Sequence, residues 1–284
     1  MMAPDKRLTA ARYDLAASSL KGLIESPRYV EGDRMIVFNG FADVRREAVP
    51  DAPLDTQALH GEVVTVFDQD EDGWSWVQLE RDSYVGYMPS AALSQDIARP
   101  THRVHVLRSF LYGGPSIKLP PIAALSLNSQ VTIVGTRERF AVTHRGHFIF
   151  ADHLVPVEIY EPDFVSVAEK FLNLPYFWGG KTSFGLDCSG LVQNALEAAG
   201  QFAPRDTDMQ EQALGTSLAV LDDLSGLKRG DLIFWKGHVG IMRDAHEMLH
   251  ASGHQMLVVS EPLHVARDRI LANSAGPITS IKRL

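Results

Sequence analysis

Cysteine is almost absent from this chain of 284 residues: Cys188 is the only one. A single cysteine excludes a disulfide within the chain, which is typical of proteins from a reducing compartment. Long apolar runs are missing too, and the N-terminal segment has no uninterrupted apolar core of the kind found in secretory signals. The sequence therefore predicts a cytoplasmic protein.

Positive charge is also in short supply. The chain has 27 Lys and Arg residues against 35 Asp and Glu residues, a formal net charge of −8. This balance argues against nucleic acid and anionic membranes as partners. Hydrophobic residues at 45% and charged residues at 22% are ordinary values for globular proteins, and the length allows two or three small domains.

The lone cysteine lies where a loop is predicted to enter a helix. Asp187 is a good N-cap, and apolar residues at helical spacing follow it until Gly200. Cys188 is thus predicted as the first helical residue, where free N–H groups and the helix dipole favour the thiolate. Position alone would then activate it as a nucleophile. The alternative is a small buried hydrophobe, as most lone cysteines are.

Two histidines downstream are candidate partners of this cysteine. Gly230 to Trp235, Gly237 to Met242 and Glu247 to Ser252 have the pattern of short apolar strands separated by turns. A helix carrying the cysteine, packed on a sheet carrying His238 and His250, would bring the three side chains together. One imidazole would take the thiol proton, and a second polar group would fix its orientation.

A competing motif overlaps this region. His246-Glu247-Met-Leu-His250 matches the H-E-x-x-H zinc signature, which requires both histidines on one face of a helix and the glutamate as general base. Turn-forming residues precede the motif, and Gly253 follows it closely, so a helix fits poorly. A zinc peptidase remains an alternative to the cysteine interpretation.

The preceding region is rich in short alternating strands. His60 to Phe67, Trp74 to Leu79 and Tyr84 to Leu93 are separated by turns and predict a small β-barrel. Leu127 to Val134 echoes Leu59 to Val66, which indicates a second copy of the same unit.

These patterns predict four segments along the chain. They are an N-terminal extension over 1–34, with a possible helix from Ala10 to Ile24, β-barrels over 35–97 and 98–157, and a catalytic domain over 158–284.

The motifs resemble those of the NlpC family of bacterial cell-wall cysteine peptidases. The resemblance is carried by Trp178-Gly-Gly with Asp187-Cys-Ser-Gly-Leu, by Gly230-Asp-Leu-Ile-Phe with His238-Val-Gly-Ile-Met, and by His250-Ala-Ser. It implies an α+β, papain-like catalytic domain in which helices pack on an antiparallel sheet. The two β-rich regions resemble bacterial SH3-like domains.

The resemblance also implies roles for individual residues. Cys188 would be the nucleophile, His238 the base and His250 the orienting residue, with no metal or organic cofactor. The implied substrate is a murein peptide with a free N-terminal L-Ala, cut between γ-D-Glu and a diamino acid, either lysine or diaminopimelate. A secreted endopeptidase that acts on intact wall is the alternative within this class. The residues expected to bind the substrate are Tyr176, Asp187, Ser189, Thr207, Tyr84 and Glu62.

Overall fold

The computed structural model of the chain describes residues 5–221, 223–273 and 276–284, and it divides the chain into two compact units. Unit 1 is Met1–Glu158 and unit 2 is Ile159–Leu284. None of the helices within the described ranges is long and apolar enough to cross a membrane.

Unit 1 begins with a two-stranded parallel pair. A seven-stranded antiparallel sheet of order β5-β4-β8-β7-β6-β3-β9 follows, and we call this sheet the first β assembly. A 3-10 turn, Ser90–Ala92, precedes its last strand. The strands are β1 (Ala16–Ala17), β2 (Tyr29–Val30), β3 (Asp33–Val37), β4 (Phe41–Arg45), β5 (Leu54–Leu59), β6 (Val63–Gln69), β7 (Trp74–Leu79), β8 (Val85–Pro89) and β9 (Leu93–Ser94).

The second β assembly has a three-stranded sheet, order β13-β10-β17, and a five-stranded sheet, order β12-β11-β16-β15-β14. Like the first assembly, it ends with a 3-10 turn, Ala151–His153, followed by a short strand. Its strands are β10 (His102–Val104), β11 (Arg108–Tyr112), β12 (Pro121–Ser126), β13 (Gln130–Val131), β14 (Ile133–Arg137), β15 (Phe140–Thr143), β16 (Phe148–Phe150) and β17 (Leu154–Pro156).

The N-terminal segment differs from its prediction. The helix expected from Ala10 to Ile24 is wrong, because this stretch has a short strand at Ala16–Ala17, a 3-10 turn at Ser18–Leu20, and otherwise turns and irregular backbone. Leu15 and Ala17 pack in one apolar cluster with Phe67 and Trp76 of the first β assembly. Burial against these rings outweighs the helix propensity of the alanines, which is worth less than 1 kcal/mol per residue, about the range of such scales.

Unit 2 has helices packed on a six-stranded antiparallel sheet of order β20-β25-β21-β22-β23-β24. Helix α2 lies against β22 and β23, so the start of that helix faces the strands that carry the candidate histidines. The elements are α1 (Phe164–Glu169), β18 (Lys181–Thr182), β19 (Gly185–Leu186), α2 (Cys188–Ala198), α3 (Thr207–Ala213), β20 (Thr216–Leu218), β21 (Leu232–Trp235), β22 (His238–Met242), β23 (Glu247–Ser252), β24 (Leu257–Pro262), α4 (Leu263–Asn273) and β25 (Ser280–Arg283).

Candidate active site

The predicted nucleophile is the first residue of α2. Asp187 is its N-cap, and the side chain accepts a hydrogen bond from the backbone N–H of Gly190 at 2.7 Å. A Cβ at Gly190 would lie 2.4 Å from the carbonyl oxygen of Gly180, so only glycine allows this approach of the loop to the helix. The Trp-Gly-Gly loop and the helix thereby fix Cys188 at a defined point.

The carboxylate of Asp187 has an internal counterion. Arg205 donates to its two oxygens at 3.0 and 2.7 Å, and its side chain is 1% exposed. Arg205 also donates to the hydroxyl of Ser189 at 2.9 Å, and the N–H of Gly179 donates to Asp187 at 2.9 Å. A substrate amine would share these acceptors with Arg205, and the predicted binding role of Asp187 and Ser189 stays a prediction.

The two candidate histidines lie on neighbouring antiparallel strands and contact each other. His238 begins β22, His250 lies in β23, and Nε2 of His238 is 2.7 Å from Nδ1 of His250. The ring of His238 also packs beside Trp235, with ring centroids 5.7 Å apart. The expected proximity of the two histidines is therefore present in the fold.

A carboxylate and an arginine extend this chain of contacts. Nε2 of His250 is 2.8 Å from Oε1 of Glu261, and Arg269 donates to Oε2 of Glu261 at 2.7 Å. Arg269 and, further, His250 stabilise the charged carboxylate against its burial and hold the pKa of Glu261 well below its usual range.

The carboxylate of Glu261 determines the tautomers of the His250 and His238 rings. An ionised Glu261 can only accept, so His250 donates through Nε2 and accepts at Nδ1. His238 then donates through Nε2, and its Nδ1 carries the free lone pair. This nitrogen is the one available to accept the thiol proton. The backbone N–H of Val239, the next residue, donates to the sulfur of Cys188.

The protonation states differ from the expectation drawn from position alone. Burial, with a smaller effect of Asp187, raises the pKa of the Cys188 thiol to about 11, against hydrogen bonds from Thr207 and backbone N–H groups. Burial likewise lowers the pKa of His238 to about 3. The expectation that the helix start favours the thiolate is thus wrong, because loss of solvation outweighs the hydrogen bonds that would stabilise the thiolate. Each group alone is neutral near pH 7.

Two further predicted residues interact with Cys188. The hydroxyl of Thr207, the first residue of α3, is 3.8 Å from Sγ of Cys188. Burial, together with the negative charges possible at Cys188 and Asp187, raises the pKa of Tyr176, so its hydroxyl stays protonated. Tyr176 is therefore a hydrogen-bond donor within electrostatic range of Cys188.

The remaining two predicted residues belong to unit 1. Glu62 is 8% exposed and pairs with Arg81 at 3.0 Å, and Tyr84 lies in the apolar core of the first β assembly. Their predicted part in substrate binding stays a prediction.

The zinc motif does not have the geometry that zinc requires. His250 and Glu247 lie on strand β23, and His246 directly precedes it, whereas the motif needs a helix. Four residues along a strand span roughly 13 Å, too far for two ligands of one ion. Within the described ranges of the chain, His, Cys, Asp and Glu form no group of three able to hold a metal ion. The zinc alternative is therefore wrong.

Sequence reasoning missed the roles of Glu261, Arg269 and Arg205. Glu261 lies near the end of β24 and Arg269 lies in α4, and no sequence motif links the two positions. Arg205 lies two residues before α3, and no pattern in the sequence marks it as a buried partner of Asp187.

Comparison with known proteins finds one family match in each of the two units. Residues 173–269 match the NlpC/P60 family, and residues 44–93 match the bacterial dipeptidyl-peptidase Sh3 domain. The chain is 29% identical over 245 residues to the gamma-D-glutamyl-L-lysine dipeptidyl-peptidase of Bacillus cereus, covering 74% of this chain and 71% of that protein. It is also 29% identical over 231 residues to the Bacillus subtilis protein of the same name, with 74% and 76% covered.

A crystal structure of an NlpC/P60 family protein from Bacillus cereus has the same fold. It superposes with a TM-score of 0.71 at 21% identity and covers 88% of this chain and 99% of that one. The α+β, papain-like architecture expected from the motifs is confirmed. Residues 173–269 are therefore an NlpC/P60-family domain, preceded over residues 44–93 by a bacterial SH3 domain of the dipeptidyl-peptidase type.

Proposed function

We propose that the protein is a cysteine peptidase that cuts the bond between γ-D-Glu and the diamino acid of murein peptides with a free N-terminal L-Ala, releasing L-Ala-D-Glu. The observation that carries the proposal is that the backbone N–H of Val239 donates to the sulfur of Cys188, while the preceding residue, His238, contacts His250. The two Bacillus relatives support the bond and the dipeptide product by their names.

The neutral resting site implies general-base activation at the moment of attack. Nδ1 of His238 takes the thiol proton while Sγ of Cys188 bonds to the γ-carbonyl carbon. The thiolate and imidazolium then compensate each other's charge in a pocket that penalises either one alone. The oxyanion is stabilised by the first N–H of α2 and the hydroxyl of Tyr176.

Collapse of this intermediate breaks the carbon–nitrogen bond, and the leaving amine takes the proton from His238. Water then attacks the thioester, gives a proton to His238, and releases the L-Ala-D-Glu carboxylic acid. The sulfur then recovers its proton from His238.

We also propose that residues 98–157 are a second SH3-like domain. The two β assemblies support this, since each ends with a 3-10 turn followed by a short strand: Ser90–Ala92 with Leu93–Ser94, and Ala151–His153 with Leu154–Pro156. A peptidase of free murein peptides fits murein recycling, for which we propose a cytoplasmic location.

Acetylating the N-terminus of the substrate tests whether the enzyme requires a free L-Ala amine. We expect kcat/KM for acetyl-L-Ala-γ-D-Glu-diamino acid to fall about a hundredfold or more, the usual effect of removing one partner of a desolvated charge pair. The measurement is hydrolysis of matched free and acetylated peptides by liquid chromatography. Equal rates, together with release of peptides from intact wall, would support the wall endopeptidase instead.

Replacing Glu261 by Gln tests its control of the histidine tautomers. We expect kcat/KM to fall about tenfold to a hundredfold, as for other groups that orient a functional histidine. Because Glu261 raises the pKa of His238 and Arg269 lowers it, Glu261→Gln should move the acid limb of the pH profile down and Arg269→Gln should move it up. Glu247→Gln, on strand β23, is the control. If Glu261→Gln and Arg269→Gln lost activity while the acid limb of the pH profile stayed in place, Glu261 and Arg269 would have only a structural role.

A further inference from the structure

A cavity of about 290 Å³ opens beside the two catalytic histidines within unit 2. It lies between Tyr176, the turn before β22, the end of β23 and helix α4. We propose, on the basis of the proposed function, that this cavity binds the leaving diamino acid and recognises a carboxylate on it. Its volume is near the lower end of small-ligand sites, which are about 300 Å³ and upward, and suits one amino-acid residue.

The position of the cavity assigns it to the leaving group. His238 gives its proton to the leaving amine, so the residue that carries this amine must lie next to His238. Both His238 and His250 line the cavity, whereas Asp187, Ser189 and Thr207, which are expected to hold the other half of the substrate, do not.

The charge of the lining identifies the ligand chemistry. Lys236 and Arg269 line the cavity, and among the described residues no Asp or Glu does. The sign of the charged side chains in this lining is thus opposite to the net charge of the chain, which is −8. Arg269 is engaged by Glu261, but Lys236 is exposed and forms no ion pair with any residue in the described part of the chain. An ammonium group that lacks an ion-pair partner at the rim of this cavity is complementary to a carboxylate.

Two carboxylates could supply this chemistry. One is the α-carboxylate of the third residue when the peptide ends there, and the other is the side-chain carboxylate of diaminopimelate. The side-chain ammonium of lysine, by contrast, meets positive charge. Lys236 is thus a specificity-determining residue that favours leaving groups with more carboxylate.

Three peptides that share L-Ala-γ-D-Glu separate these sources. The third residue is L-lysine amide, L-lysine with a free carboxylate, or diaminopimelate amidated at the α-carboxylate only. We expect wild-type kcat/KM to be about threefold to tenfold higher for at least one of the two carboxylate peptides than for lysine amide, the size of a partly exposed ion pair. The peptide that gains identifies the carboxylate recognised.

Lys236→Gln should remove this preference, so that kcat/KM on the favoured carboxylate peptide falls about threefold to tenfold relative to kcat/KM on lysine amide. Lys228→Gln is the matched control, since Lys228 is an exposed lysine of the same unit outside the cavity. The subsite proposal is overturned if wild type cuts all three peptides equally, or if Lys236→Gln slows all three by the same factor. Either result leaves the proposed function standing, whereas no cleavage of any of the peptides would reject that function and the subsite with it.

Discussion

Cys188→Ala should abolish peptide hydrolysis while the protein stays folded. Removing a catalytic nucleophile typically costs about a millionfold in kcat. Alanine has the highest helix propensity and is smaller than cysteine, so the start of α2 should tolerate it. The measurement is product release from an L-Ala-γ-D-Glu-diamino acid peptide, with circular dichroism and thermal unfolding recorded on the same samples.

Alkylation provides an independent test of the same thiol. Because Cys188 is the only cysteine, a reagent such as iodoacetamide can label one sulfur at most, and loss of activity should track the label. With the pKa of the thiol raised to about 11, labelling of the free enzyme should be slow near neutral pH and accelerate as the pH rises. Chelators should leave activity unchanged. An active Cys188→Ala variant that is inactivated by a chelator would contradict the cysteine mechanism.

Much of the site could be predicted because its signals are local in sequence. An N-cap aspartate, a helical apolar pattern and a terminating glycine define α2, and the structure begins that helix at Cys188. The apolar strands around His238 and His250 are recognisable by composition and turns, and their pairing in one sheet follows from the short connection between them.

Other parts of the site depend on contacts that no local pattern encodes. The pair Glu261–Arg269 and the pair Asp187–Arg205 join side chains whose meeting is determined by packing of the whole unit. The thiol pKa is a similar case. The sequence places Cys188 in the favourable field of a helix start, but only the fold reveals that the sulfur is buried, and burial has the larger effect.

The N-terminal segment follows the same principle. Its alanines favour a helix when considered alone, yet the segment is not helical because Leu15 and Ala17 are buried with Phe67 and Trp76. Sequence distance hides this contact, since the partners lie some fifty residues downstream.

His238→Ala should be nearly as damaging as loss of the nucleophile, and His250→Ala less so. Without His238 no group remains to take the thiol proton or to protonate the leaving amine, and the expected loss is about a millionfold in kcat. Without His250 the base remains but its tautomer and orientation are no longer fixed, and the expected loss is about ten-thousandfold. Steady-state kinetics of both variants on the free-amine peptide would measure this difference.

A matched set of variants separates orientation from simple damage to the fold. His250 is 1% exposed, so His250→Ala leaves a cavity that could destabilise the protein. His250→Asn fills part of that space and offers an amide oxygen to Nε2 of His238, so it should recover part of the lost activity. His246→Ala, at an exposed position just before β23, should have no effect. If His246→Ala were more damaging than His238→Ala, the pairing of His238 with Cys188 would be wrong. If His250→Asn were as inactive as His250→Ala although both variants were fully folded, His250 would do more than orient the base.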